Sequence, residues 1–102
     1  MDLWEEANIQ VSEAISSLKE KNFSELSNLV ENDILKTINI NDKELTHWSR
    51  AEQENNGSLS VIVEIRRERK LGLSQVSANG FFIFPDGRIE EMQEQDMWDH
   101  GY

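Results

Sequence analysis

The fold is decided by residues 59–92, LSVIVEIRRERKLGLSQVSANGFFIFPDGRIEEM. At the start of this stretch, apolar side chains fill every second position from Leu59 to Ile65, which is the period of a β-strand. A second long strand is predicted from Leu73 to Phe84, and Gly80 within it is predicted to mark a bulge. Two long strands joined by a short connection indicate an antiparallel sheet.

The triplet Pro-Asp-Gly at 85–87 favours a tight turn, after which Arg88 to Met92 return as a third antiparallel strand. Phe81 to Phe84 are all apolar, so the second strand must be covered on both faces. Alternation places Val76, Ala78, Phe82 and Phe84 on one face and Phe81 and Ile83 on the other. A helix is expected on one side. The second helix, the C-terminal segment or a partner protein is expected on the other.

Two helices are predicted before the strands. From Leu3 to Leu18 apolar residues recur at steps of three and four, which predicts an amphipathic helix with Asp2 as its N-cap. A shorter helix is predicted to begin at a Ser24 cap and to stop near Asn32. The helices would supply the apolar face that the sheet requires.

Residues 34–56 leave two interpretations open. Ile34, Ile38 and Ile40 alternate loosely with polar residues, which favours an extended segment. Asn41 and Glu44 have the spacing of a capping box, which favours a turn of helix over Asp42 to Trp48. A strand competes with that helix.

The composition sets the class of protein. The chain has 102 residues, 37% of them hydrophobic, which suits one domain spanning residues 1–102 with a single core. We predict an α+β fold in which N-terminal helices pack on a twisted antiparallel sheet, a meander of at least three strands. The chain has no cysteine, no signal-peptide pattern and no membrane-spanning stretch, so a cytoplasmic location is expected.

The charge constrains the partners. Twenty acidic against ten basic residues give a net charge of −10, which disfavours nucleic acid and anionic membranes and favours a basic protein. A soluble acidic surface without a partner is the simpler alternative. The one basic cluster, Arg66, Arg67, Arg69 and Lys70, is interleaved with glutamates, so it predicts a neutralised strand end rather than a phosphate site.

No catalytic, cofactor-binding or metal-binding set is evident, and we predict that the protein is not an enzyme. His47 and His100 are too far apart in sequence to form a helical ligand pair, and no cysteine completes a zinc site. No nucleophile elbow or glycine-rich phosphate loop is present. Both histidines are predicted to be surface or packing residues.

The C-terminal segment is the candidate partner-binding site. Six acids lie between Asp86 and Asp99 against Arg88 alone, and Met and Trp side chains are interleaved among them. Apolar anchors inside an anionic rim are typical of protein interfaces, although Met92 and Trp98 would equally serve as cover for the sheet. The predicted partner-binding residues are Glu90, Glu91, Glu94, Asp96, Trp98 and Asp99.

The run from Asn79 through Asp99, with its hairpin turn and acidic end, resembles the C-terminal part of small bacterial immunity proteins. These include proteins of contact-dependent growth inhibition systems and proteins with a cone-shaped nuclear-transport-factor-like fold. The resemblance implies a cytoplasmic protein that binds a cognate toxin domain, such as a basic nuclease, and blocks its active site or substrate groove. Only the hairpin matches residue by residue.

Two other functions fit the sequence. One is a small ligand-binding or enzymatic domain with a pocket lined by Trp48, Phe82 and Phe84. The other is a subunit of an assembly in which the strand bearing Phe81 to Phe84 pairs with a copy of itself.

Overall fold

A computed structural model describes residues 2–68 and 74–102. The helices are α1 (Leu3–Lys19), α2 (Phe23–Ser27), which continues as a 3₁₀ turn (Asn28–Val30), and α3 (Glu94–Asp99). The strands are β1 (Ile34–Ile40), β2 (Lys43–Gln53), β3 (Leu59–Glu68), β4 (Ser74–Ile83) and β5 (Ile89–Glu91). All five strands form one antiparallel sheet in chain order, so the predicted α+β class is confirmed.

The first helix forms where the apolar periodicity predicted it. The Asp2 side chain accepts a hydrogen bond from the Trp4 N–H at 3.2 Å, and Ala7, Val11 and Ile15 are buried against the sheet. The predicted Ser24 cap of the second helix is wrong.

Asn22 caps α2 instead, because its side chain accepts from the Glu25 N–H at 2.8 Å. The Glu25 carboxylate in turn accepts a hydrogen bond from the Asn22 N–H at 3.3 Å, which completes a capping box. The helix therefore begins at Phe23, two residues earlier than a Ser24 cap would allow.

The stretch left open between helix and strand is a β-hairpin, so of the two interpretations of Asp42 to Trp48 the strand is correct. Asn41 and Asp42 have φ angles of 50° and 62°, the left-handed values of a two-residue type I′ turn, which Asn and Asp tolerate better than most residues. Every second residue of β2 from Leu45 to Ala51 is buried. Two of these, His47 and Ser49, are polar, which hid the strand period.

The two faces of β4 are as predicted. Phe81 and Ile83 are fully buried in the core with α1, and Phe82 and Phe84 lie half-buried on the opposite face. The predicted bulge at Gly80 is wrong, because the register from Leu59 opposite Ile83 to Glu68 opposite Ser74 is unbroken. The predicted strand start at Leu73 lies outside the described residues.

The last strand is shorter than predicted, since β5 pairs only with Phe81 to Ile83. That part of β4 therefore has a neighbour on each side, and pairing of the Phe-bearing strand with a copy of itself is wrong. Among the described helices, none has the length and apolar character needed to cross a lipid bilayer.

Candidate functional site

The face of the sheet turned away from α1, which we call the far face, is partly covered by residues 92–102. The cover begins where the Met92 N–H donates to the Gly80 carbonyl at 3.2 Å. A Cβ at Gly80 would lie 2.7 Å from the Met92 sulfur and 2.6 Å from the Val61 carbonyl oxygen. Gly80 is therefore glycine because Met92 passes directly over it.

The short helix α3 is fixed at both ends. At its start the Asp96 carboxylate accepts from the Gln93 N–H at 2.8 Å. At its end Gly101 takes a positive φ of 98°, and the Tyr102 N–H donates to the Met97 carbonyl at 3.0 Å. This reversal turns the Tyr102 side chain back onto the sheet.

Tyr102 is part of a partly buried polar group that we call the Glu64 cluster, which consists of Arg50, Glu64, Arg66 and Tyr102. The Glu64 carboxylate, on a residue only 2% exposed, accepts from Arg50 Nη1 and from Arg66 Nε at 2.9 Å each. The Tyr102 hydroxyl donates to the same carboxylate and accepts from Arg50 Nη2 at 2.6 Å. The cluster ties the end of the chain to β2 and β3.

Aromatic rings enclose the Arg50 guanidinium. It lies 4.1 Å from the Trp48 ring centre and 5.5 Å from the Tyr102 ring centre. A guanidinium stacked on two rings keeps favourable contacts after losing water, which suits Arg50 to a partly buried ion pair.

The pKa values in the cluster follow from its geometry. Burial alone would raise the pKa of the Glu64 carboxyl, but hydrogen bonds from Tyr102, Arg66 and Arg50 outweigh burial and hold the pKa below its ordinary value. Burial and the bond to the Glu64 carboxylate raise the pKa of Tyr102 to about 12. Glu64 is therefore ionised and Tyr102 is a neutral donor near neutral pH.

His100 forms a second attachment. Its Nε2 lies 2.6 Å from the Glu54 carboxylate and its Nδ1 lies 2.7 Å from the Asp96 carbonyl oxygen. Because both neighbours are acceptors, only the imidazolium can donate to both. Burial opposes this charge, but the two hydrogen bonds outweigh burial and raise the pKa of His100 above its ordinary value.

We expect the attachment by His100 to weaken as pH rises. A raised folded-state pKa stabilises the fold fully below the unfolded value of about 6.5, and that stabilisation is lost as pH rises through the folded-state pKa. The free energy of unfolding of the wild type minus that of His100→Ala should therefore be largest below about pH 6.5 and shrink as pH rises above it. Urea unfolding across this range measures the difference.

His47 is present in both proteins, so its own titration cancels in that comparison. If the difference stays constant or grows with pH, the neutral imidazole binds Glu54 at least as well as the imidazolium does.

The far face also carries acidic residues that are far apart in the sequence. Glu52, Ser60, Phe82 and Glu90 lie side by side across β2 to β5, so Glu90 is the direct neighbour of Phe82 and Glu52 lies beyond Ser60. Between this row and α3 lies an open groove of about 460 Å³. Its lining residues are Glu52, Glu54, Asn55, Asn56, Phe82, Asp96, Asp99 and His100.

We call Glu52, Glu54, Glu90, Asp96 and Asp99 the acidic face. Three of these, Glu90, Asp96 and Asp99, were predicted from the C-terminal segment. Glu52 and Glu54 were missed because they come from the end of β2, about 40 residues earlier in the chain. Only the strand register brings the two groups together.

The other predicted residues lie elsewhere. Glu91 is on the same side of the sheet as α1 and forms an ion pair with Lys19, so it is separated from the acidic face. Glu94 and Trp98 are four residues apart on α3 and line a shallow depression together. Trp98 is 60% exposed, whereas Met92 is buried, so only Met92 serves as cover for the sheet.

The pocket predicted from Trp48, Phe82 and Phe84 does not exist as one site. Phe82 lines the acidic groove, and Phe84 lies 4.1 Å below the Arg88 guanidinium. Trp48 lines a different groove of about 490 Å³, where its Nε1 donates to Asp33 at 2.6 Å. The other residues lining that groove are Leu35, Thr46, Glu64 and Arg66.

His47 lies on the α1 side of the sheet and is 7% exposed. Burial, assisted by the positive charge of Lys36, lowers the pKa of His47. Its Nδ1 has no hydrogen-bond partner within the described part of the chain, and it lines none of the grooves above. We therefore assign His47 as a neutral side chain that packs in the interior.

Within residues 2–68 and 74–102, no three His, Asp or Glu side chains converge to hold a metal ion. In the predicted basic cluster, Arg66 pairs with Glu64, while Arg69 and Lys70 lie outside the described residues.

Comparison with known proteins gives no match: no protein-family model, no curated protein and no solved structure is similar to this chain. The resemblance of the hairpin to immunity proteins stays a prediction.

Proposed function

We propose that this protein binds a basic partner protein through the acidic face and Trp98. The observation that carries the proposal is an exposed indole on α3, the helix that also brings two carboxylates into the groove lined by Glu52 and Glu54. Trp is the residue most often found as an energetic anchor of protein interfaces, and surrounding charges orient the partner and speed its approach. The site combines both features.

The partner class follows from the charge. A net charge of −10 repels phosphates and anionic lipid headgroups, so a cationic protein surface is the complementary ligand. The grouped carboxylates occupy one side of the sheet, which suits a groove that normally holds a nucleic-acid backbone.

We further propose that the partner is a toxin domain, such as a basic nuclease, and that this protein is its immunity protein. The support is the agreement between the acidic face and the function implied by the hairpin resemblance. Bound over the cationic substrate groove, the acidic face would exclude the nucleic acid without performing any chemistry itself. The proposal includes no cofactor and no catalytic residue.

The first test is co-purification with the product of the neighbouring gene, because an immunity protein should be encoded directly after its toxin. The dissociation constant is then measured at increasing salt. Because the attraction is between opposite charges, affinity should fall as salt shortens the screening length from about 10 Å at 0.1 M. A well-folded protein that binds no basic neighbour would contradict the proposal.

The variants Glu52→Lys/Glu90→Lys and Trp98→Ala should affect different rate constants of that complex. Loss of two interface carboxylates should slow association by roughly tenfold or more, because steering depends on local charge. Loss of the indole should raise the dissociation rate by roughly 30-fold, the equivalent of about 2 kcal/mol for an interface anchor. Surface plasmon resonance measures both rates.

Glu13→Lys/Glu20→Lys is the matched control, since it makes the same change in net charge on α1, across the sheet from the acidic face. It should leave dissociation unchanged and slow association much less. Equal effects of the two charge reversals would mean that only net charge matters, and unchanged kinetics in all three variants would move the interface elsewhere.

A second candidate function is binding of a small ligand in the groove at Trp48. The specific observation is that a buried carboxylate, Glu64, and an aromatic ring line one open groove. A ligand entering it should shift the NMR signal of the Trp48 indole N–H, which donates to Asp33. A ligand screen in which that signal never moves would count against this candidate.

A further inference from the structure

The strand β1 forms one edge of the sheet, and no other described strand pairs with its outer side. It is seven residues long, contains no proline or glycine, and pairs with β2 in an unbroken register. Ile34 and Leu35 are 52% and 65% exposed, among the most exposed large apolar side chains of the described residues. Long apolar edge strands are templates for pairing with another strand, and most proteins block them.

The opposite edge is blocked along Phe81 to Ile83, where β5 pairs with β4. There β5 has three residues, follows a turn containing Pro85, and is followed by α3. Beyond the reach of β5, the N–H of Gly80 is taken by the Asn79 side chain at 2.8 Å. The strand β1 is therefore open for pairing along its whole length, whereas β4 is open only before Gly80.

The hairpin fixes which backbone groups of β1 face outward. In a two-residue turn, the flanking residues Ile40 and Lys43 form a hydrogen-bonded pair, and such pairs alternate along an antiparallel ladder. Ile34, Lys36, Ile38 and Ile40 therefore direct their N–H and C=O groups toward β2. Those of Leu35, Thr37 and Asn39 point toward the open edge.

We propose that β1 pairs antiparallel with β1 of a second copy of this chain, with Thr37 on the twofold axis. The three outward-facing residues are centred on Thr37, so a copy turned by the twofold axis presents the same groups in matching positions. Thr37 then bonds with Thr37 of the copy, and Leu35 bonds with Asn39 in both directions. About six backbone hydrogen bonds join the two sheets.

The side chains fit this register. Ile34 lies opposite Ile40 of the copy, Thr37 lies opposite Thr37, and Lys36 lies opposite Ile38. Apolar pairs and threonine pairs stabilise antiparallel neighbours, whereas like charges directly opposite destabilise them. The two lysines are only diagonal neighbours, roughly 7–8 Å apart, but a register centred on Lys36 would place them face to face.

Local charge also favours a second copy over a basic partner. The only charged residue in β1 is Lys36, so the edge does not attract the cationic protein that the acidic face selects. The rest of each copy is strongly acidic, which opposes dimerisation at long range. Added salt should therefore strengthen the dimer, whereas it should weaken the complex with a basic partner.

A charge-swap pair tests the register. Thr37→Glu and Thr37→Lys should each be monomers, because the new charge faces an identical charge across the twofold axis. A mixture of equal amounts should form a heterodimer with a dissociation constant at least tenfold below that of either variant alone. Thr37 is exposed, so neither change should disturb the fold. Analytical ultracentrifugation measures association, and circular dichroism checks folding.

Asn39→Glu and Asn39→Lys are the matched controls. Asn39 faces Leu35 of the copy and not another Asn39. Mixing these two variants should therefore restore dimer formation much less than mixing the Thr37 variants does. The proposal is overturned if the wild type stays monomeric at high salt, or if Thr37→Glu and Thr37→Lys each dimerise as tightly as the wild type. It is also overturned if mixing restores dimer formation equally at positions 37 and 39. None of these results bears on binding of a basic partner by the acidic face.

Discussion

Phe81→Ala is expected to lower the free energy of unfolding by about 3–5 kcal/mol, the usual loss for a buried phenylalanine. Phe81 is 0% exposed and lies opposite Val61 in the centre of the sheet, in the core that α1 covers. Truncation leaves a cavity that the paired strands on either side cannot close. Urea unfolding of wild type and variant measures the loss.

Phe84→Ala is the matched control, because it removes the same atoms three residues further along. Phe84 is half-buried on the far face, against the Arg88 guanidinium, so its loss should cost only about 1 kcal/mol. Equal losses at the two positions would mean that the assignment of Phe81 and Phe84 to different environments is wrong.

The parts of the fold that were predictable have a simple apolar period. Residues 59–65 and the Pro-Asp-Gly turn defined β3, β4 and their neighbour, and the first helix followed from its apolar stripe. The strand β2 lacked such a signal because His47 and Ser49 occupy core-facing positions. Asn41 and Glu44 also satisfied a local capping rule, yet Asn41 is a left-handed residue of the turn and Glu44 lies in β2, where pairing with β3 decides the conformation.

The candidate site was predictable only in part, because it also depends on strand pairing. The acids of the C-terminal segment are visible as a run in the sequence, but Glu52 and Glu54 join them only through the strand register. Glu90 and Glu91 were grouped although adjacent residues of the predicted strand from Arg88 to Met92 point to opposite faces, and the register opposite Phe81 and Phe82 shows that Glu90 is the one on the far face. Tyr102 contacts Glu64 across 38 positions of chain, so its role depends on long-range packing.

Glu64→Ala is expected to destabilise the protein by about 3–5 kcal/mol, because it leaves a partly buried arginine without its counter-ion. The side chain of Arg50 is 13% exposed, so water cannot replace the lost carboxylate fully. Tyr102 also loses its acceptor, so the C-terminal segment should detach and α3 should become more protease-sensitive. Urea unfolding and limited proteolysis measure the two effects.

Two companion variants separate charge from shape. Arg66→Ala removes a partner whose side chain is 37% exposed, so it should cost no more than about 1 kcal/mol. Replacing both buried partners, in Arg50→Met/Glu64→Leu, should recover much of the stability that Glu64→Ala loses, since a matched apolar pair needs no counter-ion. If the double variant is as unstable as Glu64→Ala, the contacts that the apolar pair cannot restore, above all those with Tyr102 and Arg66, matter more than the lost counter-ion of Arg50.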